Sequence, residues 1–198
     1  PIYSVRLIRD GVPSIINPDD KNALEEALRI KDENPDTTVT VVSMGPPQAD
    51  VAMREALAMG ADEAILISGR EFGGSDTWAT SYIIATAIKK IPDYDIIFCG
   101  RQAIDGDTAQ VGPQIAEQLN IPQITYVQKL DIEGDKVIVQ RQLEDGYTVV
   151  EAKMPVLLTA IKELNTPRYM TPKGIFEAYN KTVQVWGFND VPVDAEKI

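Results

Sequence analysis

The residue pattern best suited to holding a ligand is Gly100-Arg101-Gln102-Ala103-Ile104-Asp105-Gly106-Asp107-Thr108-Ala109-Gln110-Val111-Gly112. Gly106 allows close backbone approach, Asp107 or Thr108 can cap a helix running to Leu119, and the free amides of Thr108 to Val111 would point out of its positive end. Such a cradle suits a pyrophosphate, and Arg101 adds a local cation. The same residues also suit an ordinary capped helix with a surface arginine, and spacing does not choose between the two. A second loop, Gly69 to Thr80, places Gly73 and Gly74 before Asp76 as a candidate N-cap. Thr77 and Thr80 then share a helical face, where two hydroxyls could hydrogen-bond the polar edge of a ring; capping and ordinary helix surface account for them more simply. Met44-Gly45-Pro46-Pro47 is a third loop of the same texture.

Composition removes other chemistries. The chain has no histidine, which excludes Ser-His-Asp and Cys-His catalysis, His-ligated zinc and an imidazole base together. Its single cysteine, Cys99, rules out an internal disulfide and a multi-thiolate metal site. Set in Asp95-Ile96-Ile97-Phe98-Cys99-Gly100, it reads as a buried strand residue, and such sparse cysteine usage fits a reducing cytoplasm. Asp105 and Asp107, on a loop with no His partner, read as caps or solvated acids and receive no acid/base role. Asp19 and Asp20 read as first-turn acids and Asn17 as the cap before them. With 19 Lys plus Arg against 30 Asp plus Glu, the net charge of −11 argues against a protein that reads the phosphate backbone of nucleic acid. Any anionic ligand must be held locally. Apolar runs such as Ala64 to Ile67 are too short for membrane insertion.

The elements that must position these loops alternate in type. Thr38 to Ser43, Ala64 to Ile67, Asp95 to Cys99 and Ile124 to Val127 are short strand-like runs, apolar throughout, as in a parallel sheet covered on both faces. Asp50 to Met59 and Thr77 to Lys89 carry apolar stripes at helical spacing, and Asn17-Pro18-Asp19-Asp20 starts a helix that should end near Asn34-Pro35. After Val127 come a strand, a turn at Glu133-Gly134-Asp135, strand Val137 to Arg141, a turn at Glu144-Asp145-Gly146 and strand Tyr147 to Glu151. Met154 to Thr159 returns as a buried strand, a short helix follows around Ile175 to Tyr179, and Trp186 and Phe188 sit in a tail that is either a core edge or a partner surface. The expected class is α/β: one doubly wound, mostly parallel sheet, with an appended antiparallel meander, over a single domain of residues 1–198. Ligands then belong beyond the carboxyl ends of the strands, where the three loops lie. The start, Pro1 to Arg6, lacks the apolar core of a leader peptide, and an initial proline points to a biological start further upstream.

Four stretches together resemble the electron transfer flavoprotein family, β subunit: Val42-Ser43-Met44-Gly45-Pro46-Pro47-Gln48, Ala56 to Ala64, Gly100 to Pro113, and Asn165-Thr166-Pro167-Arg168-Tyr169. They occur in the family's order and cover nearly the whole chain. The resemblance implies adenine-nucleotide-hydrolase-like or flavodoxin-like layering, an α-subunit partner, and electron exchange with an acyl-CoA dehydrogenase or related flavin dehydrogenase. In the ordinary branch the site holds structural AMP; in the electron-bifurcating branch it holds FAD and takes hydride from NADH. One electron then goes through an α-subunit FAD to the dehydrogenase and the other to ferredoxin or flavodoxin.

Gly106 with Ala109-Gln110-Val111-Gly112, and the loop Phe72 to Thr80, look like the bifurcating branch, which makes Thr77 and Thr80 donors to an isoalloxazine edge. By the same resemblance Asn17, Met44 and Ala103 to Gly112 bind the adenosine and phosphates, Arg101 lies near the flavin, and Gly74, Asp76 and Gln102 complete the cofactor-binding set. Pro167, Arg168, Tyr169, Met170 and Pro172 match the partner-docking segment, with Pro172 where ordinary members carry an anchoring leucine and Met170 as its substitute. The family's first strand and Lys-x-x-Pro-Asp turn have no counterpart before Leu7-Ile8-Arg9-Asp10-Gly11, and its C-terminal arm none after Ile198. Phe72 to Thr77 is also similar to the Ser-Gly-Gly-x-Asp-Ser loop of ATP pyrophosphatases, but Phe72 replaces the leading serine, which disfavours an adenylate-forming enzyme.

Overall fold

The computed structural model describes residues 14–198. Expectations about Pro1 to Gly11, including the strand missing before Leu7, lie outside the described residues. The first helix, α1 (Pro18–Glu33), has proline in its first turn beside Asp19 and Asp20, whose charges complement the helix dipole at that end. Leu24 and Leu28 are its buried stripe. Then follow β1 (Thr40–Met44), α2 (Asp50–Met59), β2 (Glu63–Ile67), α3 (Thr77–Ile88), β3 (Ile96–Gly100) and α4 (Val111–Leu119). This is the β-α alternation expected from the apolar patterning. The chain goes on through β4 (Gln123–Glu133), β5 (Lys136–Leu143), β6 (Gly146–Lys153), β7 (Val156–Ala160), α5 (Pro172–Asn180) and β8 (Val183–Trp186).

Among the described residues the strands hydrogen-bond as two sheets rather than one: a parallel sheet β1-β2-β8, and a mixed sheet β3-β7-β4-β5-β6 with its meander at one end. The fold is α/β with parallel-rich sheets. β2 and β7, each flanked on both sides, bury all their apolar side chains, whereas β1 and β3, at sheet edges, are half-buried for most of their length.

One expectation is refined and one open alternative is resolved. The strand ending at Val127 and the one expected between it and the Glu133 turn are a single strand, β4, which pairs in parallel with β7 at one end and antiparallel with β5 at the other. The join is a bulge where Tyr126 sits at φ 57 and donates its N–H to Thr159 Oγ1 at 3.0 Å. The aromatic tail is a core edge: β8 adds in parallel to β2, and Trp186 and Phe188 pack with Ile67, Phe72, Ile83 and Val191. The signal for this was nonlocal, since β8 finds its neighbour about 120 residues upstream in the register Ala64 with Val183.

Candidate functional site

Loop 101–110 leaves β3 with its backbone already tied down. The Arg101 N–H donates to Ala160 O and the Asp107 N–H to Ala103 O, both at 2.9 Å. Beyond that turn, Asp107 and Ala109 both have positive φ, 50° and 52°. For alanine this backbone costs on the order of 1–2 kcal/mol, a strain held by the surrounding structure and common where a loop is shaped for a ligand. Ala109 in the left-handed region followed by Gln110 in the right-handed one is the residue pair from which an anion-binding nest is built. The N–H groups of Thr108, Ala109, Gln110, Val111 and Gly112 find no acceptor among the described residues. Helix α4 starts at Val111, with Gln110 before it and no side-chain cap, which corrects the expected capping by Asp107 or Thr108. The Asp107 carboxylate accepts instead from Gln102 Nε2, across the loop. No atom lies within 4 Å of where a Cβ on Gly106 would stand, so the loop is open above it.

Asn17 does not cap α1. Its side chain reaches the loop: Nδ2 donates to Gln102 O at 2.9 Å and Oδ1 accepts from the Ile104 N–H at 3.1 Å. Nδ2 also donates to Asp20 Oδ2 at 3.1 Å, and Asp20 Oδ1 accepts from the Gly100 N–H at 2.5 Å. Burial raises the Asp20 carboxyl above its ordinary range, against the lowering effect of those two donors. Gly100 is required here, since a Cβ would stand 2.7 Å from Asp20 N and 2.9 Å from Asp19 Cβ. Arg101 lies with Nε 3.5 Å from Asp19 Oδ2, and that buried Nε has no hydrogen-bond partner among the described residues. Burial, with Asp20 nearby, pushes the Cys99 thiol far above its ordinary range, so it is no nucleophile.

The second loop joins the first. Asp76 caps α3 as expected, accepting from the Ala79 N–H at 2.9 Å, and Gly74 takes φ 90° just before it. Thr77 Oγ1 donates to Gln110 Oε1 at 3.0 Å, so the starts of α3 and α4 are linked side by side. Thr80 is half-buried one turn further on, with its N–H bonded to Asp76 O. Met44, ending β1, is half-buried against the cluster of Ile67 and Phe72. Gly112 is a packing position: a Cβ there would stand 2.7 Å from Cys99 Sγ. Among the described residues no group of His, Cys, Asp and Glu could hold a metal ion, and no helix is long and apolar enough to cross a membrane.

The segment matched to partner docking divides in two. Arg168 turns inward: Nε and Nη2 clamp Glu25 at 2.9 and 3.1 Å, and Nη2 meets Asp32 at 2.7 Å. Pro167 is half-buried beside it, while Tyr169 is 96% exposed and Met170 and Pro172 are also exposed. Sequence reading missed the receiving surface on α1, where Glu25, Glu26 and Asn22 are all buried. Asn22 and Asn165 exchange side-chain-to-backbone bonds at 2.8 and 3.0 Å, and Asn165 Nδ2 also reaches Glu26 at 2.8 Å. The signal was present as the i, i+3, i+4 set Asn22, Glu25 and Glu26, a polar helical stripe distinct from that of Leu24 and Leu28.

Residues 4–191 match the electron transfer flavoprotein domain family. A protein of Thermoanaerobacterium thermosaccharolyticum named electron transfer flavoprotein subunit beta is 67% identical over 193 residues, covering 97% of this chain and 74% of that protein. The caffeyl-CoA reductase-Etf complex subunit CarD of Acetobacterium woodii is 59% identical over 190 residues, 96% of this chain and 72% of its own length. The acryloyl-CoA reductase electron transfer subunit gamma of Anaerotignum propionicum is 56% identical over 182 residues, 90% of this chain and 68% of its own. The family match spans both linked loops, Asn17 and Arg168, and the chain belongs to the electron transfer flavoprotein family, on its β-subunit side.

Proposed function

We propose that this chain is the β subunit of a heterodimeric electron carrier, binds FAD across its two linked loops, and works in electron bifurcation. The carrying observation is the Thr77–Gln110 bond, which sets a polar helix start beside five backbone N–H groups that find no acceptor among the described residues. The donor set fits a dinucleotide: N–H groups of Thr108 to Gly112 suit its phosphates, and the open space above Gly106 gives them room. Asn17 and Met44 flank the adenosine side. Thr77 and Thr80 share one face at the start of α3, where the Thr80 hydroxyl, with the Thr77 oxygen whose proton goes to Gln110, would meet an isoalloxazine edge that AMP lacks. Bound there, FAD would supply two-electron acceptance from NADH hydride and one-electron release along two routes.

This chain's residues do the rest by binding and orientation. The nest neutralises phosphate charge by dipoles rather than side-chain cations, which suits a chain of net charge −11. The threonine hydroxyls and Arg101 set the polarity next to the ring system, and hydrogen bonding at such a site is the protein's means of tuning potential. The α subunit would bring the second flavin. Exposed Tyr169 and Met170 would meet a CoA-ester dehydrogenase or reductase, and ferredoxin or flavodoxin would take the low-potential electron. Names of relatives such as caffeyl-CoA reductase-Etf complex subunit support that class of partner.

The test is to co-express the full-length chain with its α subunit, extract the cofactors in acid and count them by chromatography. Two FAD per heterodimer is the expected result. One FAD with one AMP overturns bifurcation and leaves the second reading, a subunit with a structural nucleotide, which the same phosphate nest also favours.

A further inference from the structure

The link from α1 to the phosphate loop depends on which way one amide faces. Asn17 Nδ2 sits between two acceptors, Gln102 O and Asp20 Oδ2, and Oδ1 faces one donor, the Ile104 N–H. Rotating the amide by half a turn would set its oxygen against two oxygens and its NH2 against an N–H. The backbone carbonyl and N–H come from the loop itself, which has to be held in shape, so they cannot also anchor the amide. The independent anchor is Asp20, whose own position is fixed by Oδ1 accepting from the Gly100 N–H at the end of β3. Ionised, this carboxylate offers only acceptors, and a single orientation of Asn17 satisfies it.

We propose that Asp20 is a positioning residue: by fixing the Asn17 amide it pre-shapes the 102–104 backbone, and with it the loop that receives the phosphates. The proposal rests on the nucleotide reading of that loop. Asp20 touches the ligand site only through Asn17. The order of action is strand end, carboxylate, amide, loop, in residues that are separated by up to 87 positions in sequence.

Asp20→Asn is the discriminating variant, because its Oδ1 keeps the Gly100 contact while its NH2 meets Asn17 Nδ2 donor to donor, favouring the reversed amide. In the full-length heterodimer stripped of nucleotide, AMP and FAD are titrated separately by calorimetry. D20N should weaken whichever binds by about tenfold, the loss expected from two disrupted hydrogen bonds. Adding D20N to N17A should weaken it no further than N17A alone, since the effect passes through Asn17. Asn17→Asp in the D20N background returns an acceptor to Ile104 and a complementary pair at 17 and 20, and should recover part of the affinity. A purely structural role would instead lower the ligand-free melting temperature and give additive losses, and would overturn the proposal. Independently of any variant's folding, the Ile104 amide of the ligand-free wild type should exchange with solvent slowly; exchange at the unprotected rate also overturns it. If N17A leaves both affinities unchanged, the nucleotide reading of the loop fails and this proposal with it. If N17A weakens binding and D20N does not, only the proposal fails.

Discussion

Thr77 shows how one hydroxyl decides what a loop can do. As a helix-surface residue it would be replaceable, but its donation to Gln110 Oε1 at 3.0 Å ties two helix starts that are 33 positions apart. Thr77→Val keeps the shape and removes that bond, about 1 kcal/mol for a neutral pair. FAD affinity in the heterodimer should fall by about fivefold, while Thr80→Val, which breaks no bond seen here, should shift the flavin potential more than the affinity. Flavin titration and spectroelectrochemistry separate the two effects. Asn17 makes the same point: capping chemistry and loop-holding chemistry require the same residue type, and only its distant partners distinguish them.

At the scale of elements, α1 carries the largest departure from a plain amphipathic helix. Its Glu25 is 7% exposed at the side chain and receives the Arg168 guanidinium bidentately together with the Arg168 N–H. Those acids hold Arg168 charged well above its ordinary range. Arg168→Ala strands a buried carboxylate and should cost about 3 kcal/mol, the low end for a broken buried pair because Arg168 itself is 30% exposed. Asp32→Ala, at a side chain 62% exposed, should cost under about 1 kcal/mol. Urea denaturation of the heterodimer compares them, and equal losses would show that the clamp on Glu25 is not the dominant contact. The clamp also explains why Tyr169 is so exposed, since the residue before it is held against α1.

For the molecule as a whole, acid stability is set by carboxylates that respond in opposite directions. Burial raises Asp62, but Lys31 at 2.5 Å and the Val39 N–H outweigh it, and its carboxyl lies below the ordinary 3.8. Its stabilisation is present above 3.8 and lost as pH falls through the depressed folded value. Asp20 is raised, so its share is present below 3.8 and lost as pH rises through its elevated folded value. Asp62→Asn should therefore flatten the acid limb of a urea-midpoint profile, and Asp20→Asn should steepen it. Tyr169 at 96%, Phe176 at 74% and Tyr179 at 74% are exposed, on and before α5. Tyr169→Ala with Phe176→Ser should leave the melting temperature within a degree or so, surface changes being small in stability, and slow electron transfer to the dehydrogenase; unchanged transfer would move docking elsewhere.

The sequence by itself determined the α/β class, the starts of α1, α2 and α3, the turns of the meander, and which loops carry glycine and small polar residues. Those features follow from caps, periodicity and turn chemistry, all set by residues within a few positions of each other. Tertiary structure alone decided that Asn17 holds loop 101–110, that Thr77 meets Gln110, that Arg168 turns inward to Glu25, and that the aromatic tail is a strand beside β2. Each of these depends on a partner 33 to 143 positions away. Polar side chains of one type suit a cap, a ligand or a distant backbone equally well, and only the packed chain supplies the donor or acceptor that selects among them.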